Sequence, residues 1–191
     1  MTKKIDFYFD FISPYSYLAH QKIKIIQNVN FNYKPVLVGG LHNLQGITAP
    51  AFIKAKLKHM ISDCDLIAKK NNFNFIWNSK FPINSLNILR GYLLINNEIK
   101  DLYLNAMFDA YWKDNLDVSN EEVLKTLLNK NNIDLDSFLL GIKDHKIKDE
   151  LKNVTQKAHD KEIFGAPTFI VNNKIFWGQD RLEFALDEYN S

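Results

Sequence analysis

The stretch 5–18 constrains the fold of this chain more than any other, because an apolar strand pattern runs directly into a helix start. In its first half apolar and aromatic residues alternate, with no charge inside Phe7–Phe9, as in a buried strand. Ser13-Pro14 follows, and Ser is favoured as a helix N-cap while Pro is favoured at the first helical position. The helix is expected to continue through Tyr17, Leu18, Gln21, Lys22, Ile25 and Ile26.

Ser13 is therefore predicted to lie where a strand ends and a helix begins. The first N–H groups of a helix have no partner within the helix, and the positive end of the helix dipole lies beside them. Such a position binds anions, which makes Ser13 a candidate site residue. From the local sequence alone, a helix cap with no further function is the simpler interpretation.

Length and charge limit the class of protein. The 191 residues are 46% hydrophobic, enough for one domain or one domain that carries an insertion. The net charge is +2, from 24 basic and 22 acidic residues, and no basic tract stands out, so nucleic acid is not an expected partner. We expect no membrane span and no signal peptide, and hence a cytoplasmic protein.

The only cysteine, Cys64, excludes an intrachain disulfide and a cysteine metal cluster. It falls on the apolar face of a predicted helix, which indicates a packed thiol rather than a nucleophile. The five histidines show no ligand spacing, so no metal site is expected.

A second strand is predicted over Phe31–Val38, closed by Gly39-Gly40. Two strands with a helix between them form a βαβ unit, so parallel pairing is expected. Almost everything from there to Phe164 has a helical pattern. The expected helices are 48–71, 81–95, 98–112, a helix opened by a capping box at 119–122, 134–142 and 146–161.

The last segment changes character. Strands are predicted over Ala166–Val171 and Lys174–Trp177, and Asn172-Asn173 between them is typical of a two-residue hairpin turn. A final helix follows Gly178, with Asp180 and Glu183 as its expected capping box.

This order of elements resembles an α/β thioredoxin fold interrupted by an all-helical insertion, as in the DsbA family. The resemblance implies a thioredoxin-like domain from 1–40 and 160–191, with the insertion at 41–159. It also implies a cis bond before Pro167, whereas the residues alone fit an ordinary trans proline that opens an edge strand. Where the disulfide oxidoreductases have Cys-x-x-Cys, this chain has Ser13-Pro-Tyr-Ser16, which excludes thiol–disulfide exchange by the chain alone.

Four segments, 6–19, 81–86, 164–168 and 176–182, resemble the 2-hydroxychromene-2-carboxylate isomerases and the kappa-class glutathione transferases. The resemblance implies a glutathione-dependent isomerase that acts on a small molecule, an aromatic carboxylate or another electrophile, and forms a homodimer. Two alternatives to the isomerase function are a kappa-like glutathione transferase that acts on another electrophile and a non-catalytic thioredoxin-like binding module.

The family roles transfer to individual positions. Ser13 is expected to bind the glutathione sulfur, as a donor and not as the attacking atom, and Ala166 and Pro167 to meet its peptide backbone. The γ-glutamyl end is expected to be bound by Trp177, Gly178, Gln179 and Asp180. The substrate is expected to be bound by Lys56 and Tyr15. Ile47 departs from the pattern, because relatives have an asparagine there.

The expected chemistry is consistent with these residues. A free thiol of pKa about 8.5 is only about 3% ionised at pH 7. A helix N-terminus stabilises an anion by about 0.3–2 kcal/mol, and a hydrogen bond to a charged group adds about 1.5–3 kcal/mol. At 1.36 kcal/mol per unit, the two effects together lower a thiol pKa by about two units. The resemblance then implies covalent catalysis by the glutathione thiolate.

Overall fold

The computed structural model describes residues 3–191, and its strands form one sheet. β1 (Ile5–Phe9) pairs in parallel with β2 (Phe31–Pro35) and antiparallel with β3 (Thr168–Val171). β4 (Lys174–Trp177) pairs antiparallel with β3, which gives the order β2-β1-β3-β4. The predicted parallel pairing of the first two strands and the predicted terminal hairpin are confirmed.

The helices surround this sheet and fill the long connection between β2 and β3. They are α1 Pro14–Ile23, α2 Val38–Gln45, α3 Lys54–Asn71, α4 Leu86–Leu94, α5 Lys100–Trp112, α6 Glu121–Lys130, α7 Leu135–Gly141, α8 His145–Asp160 and α9 Leu182–Asn190. The interrupted thioredoxin fold predicted from the sequence is confirmed. The exact boundaries 1–40, 41–159 and 160–191 stay a prediction.

Aromatic rings of β1 form the contact between the sheet and the inserted helices. Phe7 stacks on Phe169 of β3 with ring centroids 5.1 Å apart, and Phe9 lies 5.7 Å from Phe108 of α5. All four rings are fully buried, and burying such a side chain stabilises the fold by about 1.5–3 kcal/mol. Tyr8 is buried on the opposite face. Because both faces of β1 are covered, the strand has no charge between Phe7 and Phe9.

A buried polar network ties α1 to β2 and α5. His20 Nδ1 lies 2.8 Å from the Tyr33 hydroxyl, and His20 Nε2 lies 3.0 Å from Asn105 Oδ1. The amide nitrogen of Asn105 donates to the Asp101 carbonyl, so Asn105 Oδ1 accepts from Nε2 and Tyr33 donates to Nδ1. Desolvation lowers the pKa of His20 to about 4, so the ring is neutral at pH 7.

The second strand is shorter than predicted. β2 ends at Pro35, and α2 starts at Val38 and runs through Gly39 and Gly40. The expected turn at the two glycines is therefore wrong. The Leu37 N–H donates to Thr155 Oγ1 at 3.1 Å, so packing against α8 outweighs the low helix propensity of glycine.

Two helix starts lie later than their prolines predict. Pro82 follows a cis bond, and the helix begins only at Leu86. Pro50 opens a short 3-10 turn to Phe52, and α3 begins at Lys54. The expected starts near 81 and 48 are wrong, because proline is also favoured in turns.

Three helix ends also differ from the prediction. α1 stops at Ile23, which leaves Ile25 outside the helix and 75% exposed. The cap of α6 is Asn120, which accepts from the N–H groups of Glu122 and Val123 at 3.0 and 3.2 Å. Asp180 lies in a 3-10 turn before α9 and does not cap it, so the predicted capping box is wrong.

Within the described range 3–191, no helix combines the length and the apolar character needed to cross a bilayer. The longest of these helices, α3, has 18 residues and exposes lysines at both of its ends.

Candidate active site

Ser13 caps α1 as predicted and joins it to the strand region at the other end of the chain. Its Oγ accepts a hydrogen bond from the Ser16 N–H at 3.1 Å, which satisfies one of the free donors of the first turn. The same Oγ donates to the carbonyl oxygen of Ala166 at 2.9 Å. The side chain is nearly buried, and these two bonds fix its position.

The peptide bond between Ala166 and Pro167 is cis, as the resemblance implied and against the trans alternative. This bond immediately precedes β3, so the main chain of Ala166 faces the start of α1. The Pro167 carbonyl accepts from the Gly178 N–H at 3.0 Å. The structure therefore brings Ser13, Ala166, Pro167 and Gly178 together from both ends of the sequence.

Two main-chain donors beside Ser13 make no hydrogen bond to any residue of the described chain. They are the N–H groups of Tyr15, in the first turn of α1, and of Ala166. The free N–H of Tyr15, at a helix N-terminus, favours binding of an anion, and the free N–H of Ala166, just before a strand, favours binding of an extended peptide. The site therefore suits a ligand that has both a negative charge and an extended peptide backbone.

Trp177 lies beside this loop and is 53% exposed. Its ring centroid is 4.8 Å from that of Phe164, which is also exposed. A Cβ on Gly165 would lie 2.9 Å from Trp177 Nε1, so only glycine lets the indole lie so close to the loop. The two rings form an exposed apolar surface next to Ala166.

Gln179 points into the protein, unlike its neighbour Asp180. Its Oε1 accepts from Lys22 Nζ at 2.6 Å, and its side chain is buried. Desolvation lowers the pKa of Lys22, opposed by the nearby carboxylates of Glu183 and Asp180. The Asp180 side chain is exposed and lies 3.4 Å from Arg181 Nη2. Of the two polar side chains, Asp180 is the one accessible to a ligand.

Tyr15 connects α1 to the insertion. Its hydroxyl donates to Asp63 Oδ2 of α3 at 2.8 Å, and burial raises its pKa, so the phenol is neutral. Lys56 lies seven residues before Asp63, about 10 Å along the same side of the helix. The Lys56 side chain is exposed and makes no hydrogen bond or ion pair with residues 3–191. No hydrogen bond joins Lys56 to Ser13.

Cys64 is fully buried on α3, and burial raises the pKa of its thiol. The predicted packed thiol is confirmed. Among residues 3–191 no group of three or more His, Cys, Asp or Glu side chains has the arrangement of a metal site.

Asp10 was not predicted as a site residue, although it lies directly beneath the Ser13 turn. Its carboxylate accepts from the N–H groups of Ile12 at 3.2 Å and Val38 at 2.9 Å, and its main-chain oxygen accepts from the Ser13 N–H. Desolvation raises its pKa to about 6. An acid that ends an apolar strand just before the Ser-Pro turn is the signal that could have identified it.

A capped helix N-terminus that faces a cis-proline loop, on a sheet interrupted by helices, defines a DsbA-like thioredoxin protein. The sequence model of the DSBA-like thioredoxin domain matches residues 4–190, and the chain belongs to this family.

The relatives of this chain carry enzyme names. A 2-hydroxychromene-2-carboxylate isomerase of Sphingobium xenophagum is 28% identical over 194 residues, 99% of this chain and 98% of that protein. Glutathione S-transferase kappa 1 of Caenorhabditis elegans is 27% identical, covering 96% and 89%. A solved structure of a 2-hydroxychromene-2-carboxylate isomerase matches with a TM-score of 0.89 at 23% identity, covering 97% of this chain and 94% of that one. The resemblance stated from the motifs is thereby confirmed.

Proposed function

We propose that this protein is a glutathione-dependent enzyme of the 2-hydroxychromene-2-carboxylate isomerase type. The observation that carries the proposal is the Ser13 hydroxyl at the N-terminus of α1, 2.9 Å from the main chain of Ala166. The names of the relatives support the reaction class.

The residues present fit a cysteinyl peptide. The free N–H of Ala166 is suited to a ligand carbonyl, and the free N–H of Tyr15 faces the position of an anion at the helix start. When bound, glutathione would supply a thiolate as nucleophile. The Ser13 hydroxyl would donate a hydrogen bond to that sulfur and hold the negative charge beside the dipole of α1.

The charged end of glutathione would meet the segment Trp177–Asp180. Asp180 is the exposed carboxylate of this segment and suits the cationic γ-glutamyl amine. Gln179 would act indirectly, because its side chain is bonded to Lys22. Gly178, with φ of +113°, gives the turn a backbone that other residues rarely adopt.

The electrophile would lie on the other side of the sulfur, where Tyr15 contacts Asp63 of α3. In this proposal Lys56 and Tyr15 border the substrate, and the Lys56 ammonium suits a carboxylate. Ile47, where the family resemblance implies an asparagine, is 45% exposed. An apolar residue at that position favours a less polar substrate.

The second candidate is a kappa-like glutathione transferase, favoured by the relatives of that name and by Ile47. The two functions differ in what happens to glutathione. An isomerase returns it unchanged, whereas a transferase consumes it with each turnover. A third candidate, a binding module without chemistry, predicts neither outcome.

Calorimetric titration with reduced glutathione tests the shared part of the proposal. We expect micromolar to low millimolar binding by the wild type, and about tenfold weaker binding by Ser13→Ala, because a hydrogen bond to a charged group is lost. Ser62→Ala is the control, because that exposed hydroxyl bonds only to carbonyls of α3. Absence of binding at ten millimolar glutathione would contradict the proposal.

Assays with chromene carboxylic acids and with chlorinated aromatics then distinguish the reactions. Conversion of the acid without loss of free thiol supports the isomerase. Loss of free thiol with the chlorinated compounds supports the transferase.

A further inference from the structure

The single proton of the Ser13 hydroxyl is already used in this structure. The Ala166 carbonyl has no hydrogen, so the 2.9 Å contact has Ser13 as its donor. The hydroxyl oxygen in turn accepts from the Ser16 N–H, which holds it at the cap. Ser13 therefore has no second proton to donate to a thiolate.

A sulfur anion at the start of α1 would compete with Ala166 for this proton. If the hydroxyl turns toward the sulfur, the Ala166 carbonyl loses the only donor that it has among residues 3–191. A polar group left without a partner in a partly buried site is unfavourable. The neighbouring hydroxyls of the first turn offer no accessible substitute: Tyr15 donates to Asp63, and the Ser16 hydroxyl, which has no partner among residues 3–191, is fully buried.

We propose that Ser13 and Ala166 make ionisation of the bound thiol conditional on a neighbouring amide N–H of the same ligand. An amide N–H that donates to the Ala166 carbonyl replaces the Ser13 hydroxyl as its hydrogen-bond donor. The hydroxyl keeps its proton and turns to donate a hydrogen bond to the sulfur, while the proton of the thiol itself is lost to solvent. The site thereby selects N-acylated cysteinyl thiols over thiols without an adjacent amide. This inference rests on the proposed function and names the thiol class that the site accepts.

The position of Ala166 suits such an exchange. It directly precedes Pro167 and β3, and its own N–H is also unbonded within the described chain. An extended peptide can donate to the carbonyl and accept from the N–H of one residue, as in strand addition. The amide and the thiol of one cysteinyl residue would then reach Ala166 and Ser13 together.

The test compares two ligands on the wild-type protein. One is glutathione, and the other is its depsipeptide analogue, in which an ester oxygen replaces the cysteinyl N–H. The thiol pKa of each saturated complex is measured by thiolate absorbance against pH. We expect a thiol pKa about one unit higher for the ester, a tenfold difference of the size that a hydrogen bond to a charged atom produces. Asp10, Asp63 and Asp180 are the same in both complexes, so their charges cancel in the comparison.

Ser13→Ala provides the second arm. Without the hydroxyl no hydrogen bond can be redirected from Ala166 to the sulfur, so both bound thiols should have the same pKa. Equal thiol pKa values for the two ligands on the wild type would overturn this inference alone, while the lowered pKa of bound glutathione would still support the proposed function. Failure of the wild type to bind glutathione would overturn both.

Discussion

Lys22 Nζ lies 2.6 Å from Gln179 Oε1, so the last turn of α1 holds the residue that precedes Asp180. The same ammonium also reaches the Gln179 main-chain oxygen at 3.4 Å. Both ends of α1 therefore contact the C-terminal segment: Ser13 at Ala166, and Lys22 at Gln179. One helix thus positions both halves of the proposed glutathione site.

Lys22→Met should weaken glutathione binding by disordering the turn that presents Asp180. Methionine keeps most of the aliphatic packing but loses the charged hydrogen bond to Gln179. We expect about a tenfold increase in Kd for glutathione, from the usual value of such a bond. Cysteinylglycine, which lacks the γ-glutamyl group, should bind both proteins equally well in calorimetry.

The matched control for this change is Lys24→Met, because Lys24 is exposed and lies just beyond α1. An equal loss for glutathione and cysteinylglycine in Lys22→Met would show a general structural defect. Such a result would contradict a role for Lys22 in binding the γ-glutamyl end of glutathione.

Asp10→Asn should change how stability depends on pH. The folded-state pKa of Asp10 is raised to about 6, so between about pH 4 and 6 the folded wild type holds a proton that the unfolded chain has lost. Through this group stability falls as pH rises across that window. His20 acts in the opposite direction, because its folded pKa is about 4 and the unfolded chain is protonated below about pH 6.5.

The two contributions oppose each other in the wild type. In Asp10→Asn the His20 contribution is uncompensated. As pH increases from about 4 to 6, the free energy of unfolding of this variant should therefore rise more steeply than that of the wild type, by up to about 1.4 kcal/mol per pH unit. Urea denaturation from pH 4.5 to 7 measures the two slopes. Parallel slopes would show that Asp10 does not titrate in this range.

Gly165→Ala should displace Trp177. The new Cβ would lie 2.9 Å from the indole nitrogen, and such overpacking costs about 1–3 kcal/mol unless the ring moves outward. We expect lower stability or a shifted tryptophan emission, together with weaker glutathione binding. The emission of Trp112, which is fully buried, should stay the same.

Gly39→Ala is the contrasting change. A Cβ on Gly39 meets no atom within 4 Å, and the residue lies in α2 with a helical backbone. Alanine should stabilise the protein by about 0.5–1 kcal/mol, with unchanged glutathione binding. Destabilisation by both substitutions would contradict the steric explanation for Gly165.

The parts of the fold that sequence predicts well depend on local rules. Ser13-Pro14 starts α1 as expected, and Asn172 and Asn173 both have positive φ, as their two-residue turn requires. These features need only neighbouring residues. The cis bond at Pro167 was implied only by the family resemblance, since the residues alone favour a trans bond.

Long-range contacts explain what the sequence did not predict. Gly39 and Gly40 form a helix rather than a turn because α8 packs against it, more than a hundred residues away in sequence. Gln179 faces inward because Lys22, 157 positions earlier, binds it. Asp10 had a local signal, but its partner Val38 belongs to a helix that the pattern did not predict.

The most direct test of the proposed function is the thiol pKa of glutathione bound to the wild-type protein. Thiolate absorbance, titrated against pH in the saturated complex, should give a value about two units below the free thiol, from the dipole of α1 and the Ser13 hydroxyl together. Ser13→Ala should recover at least one of those units. A bound thiol that titrates like free glutathione would contradict activation at the start of α1 and favour a non-catalytic binding module.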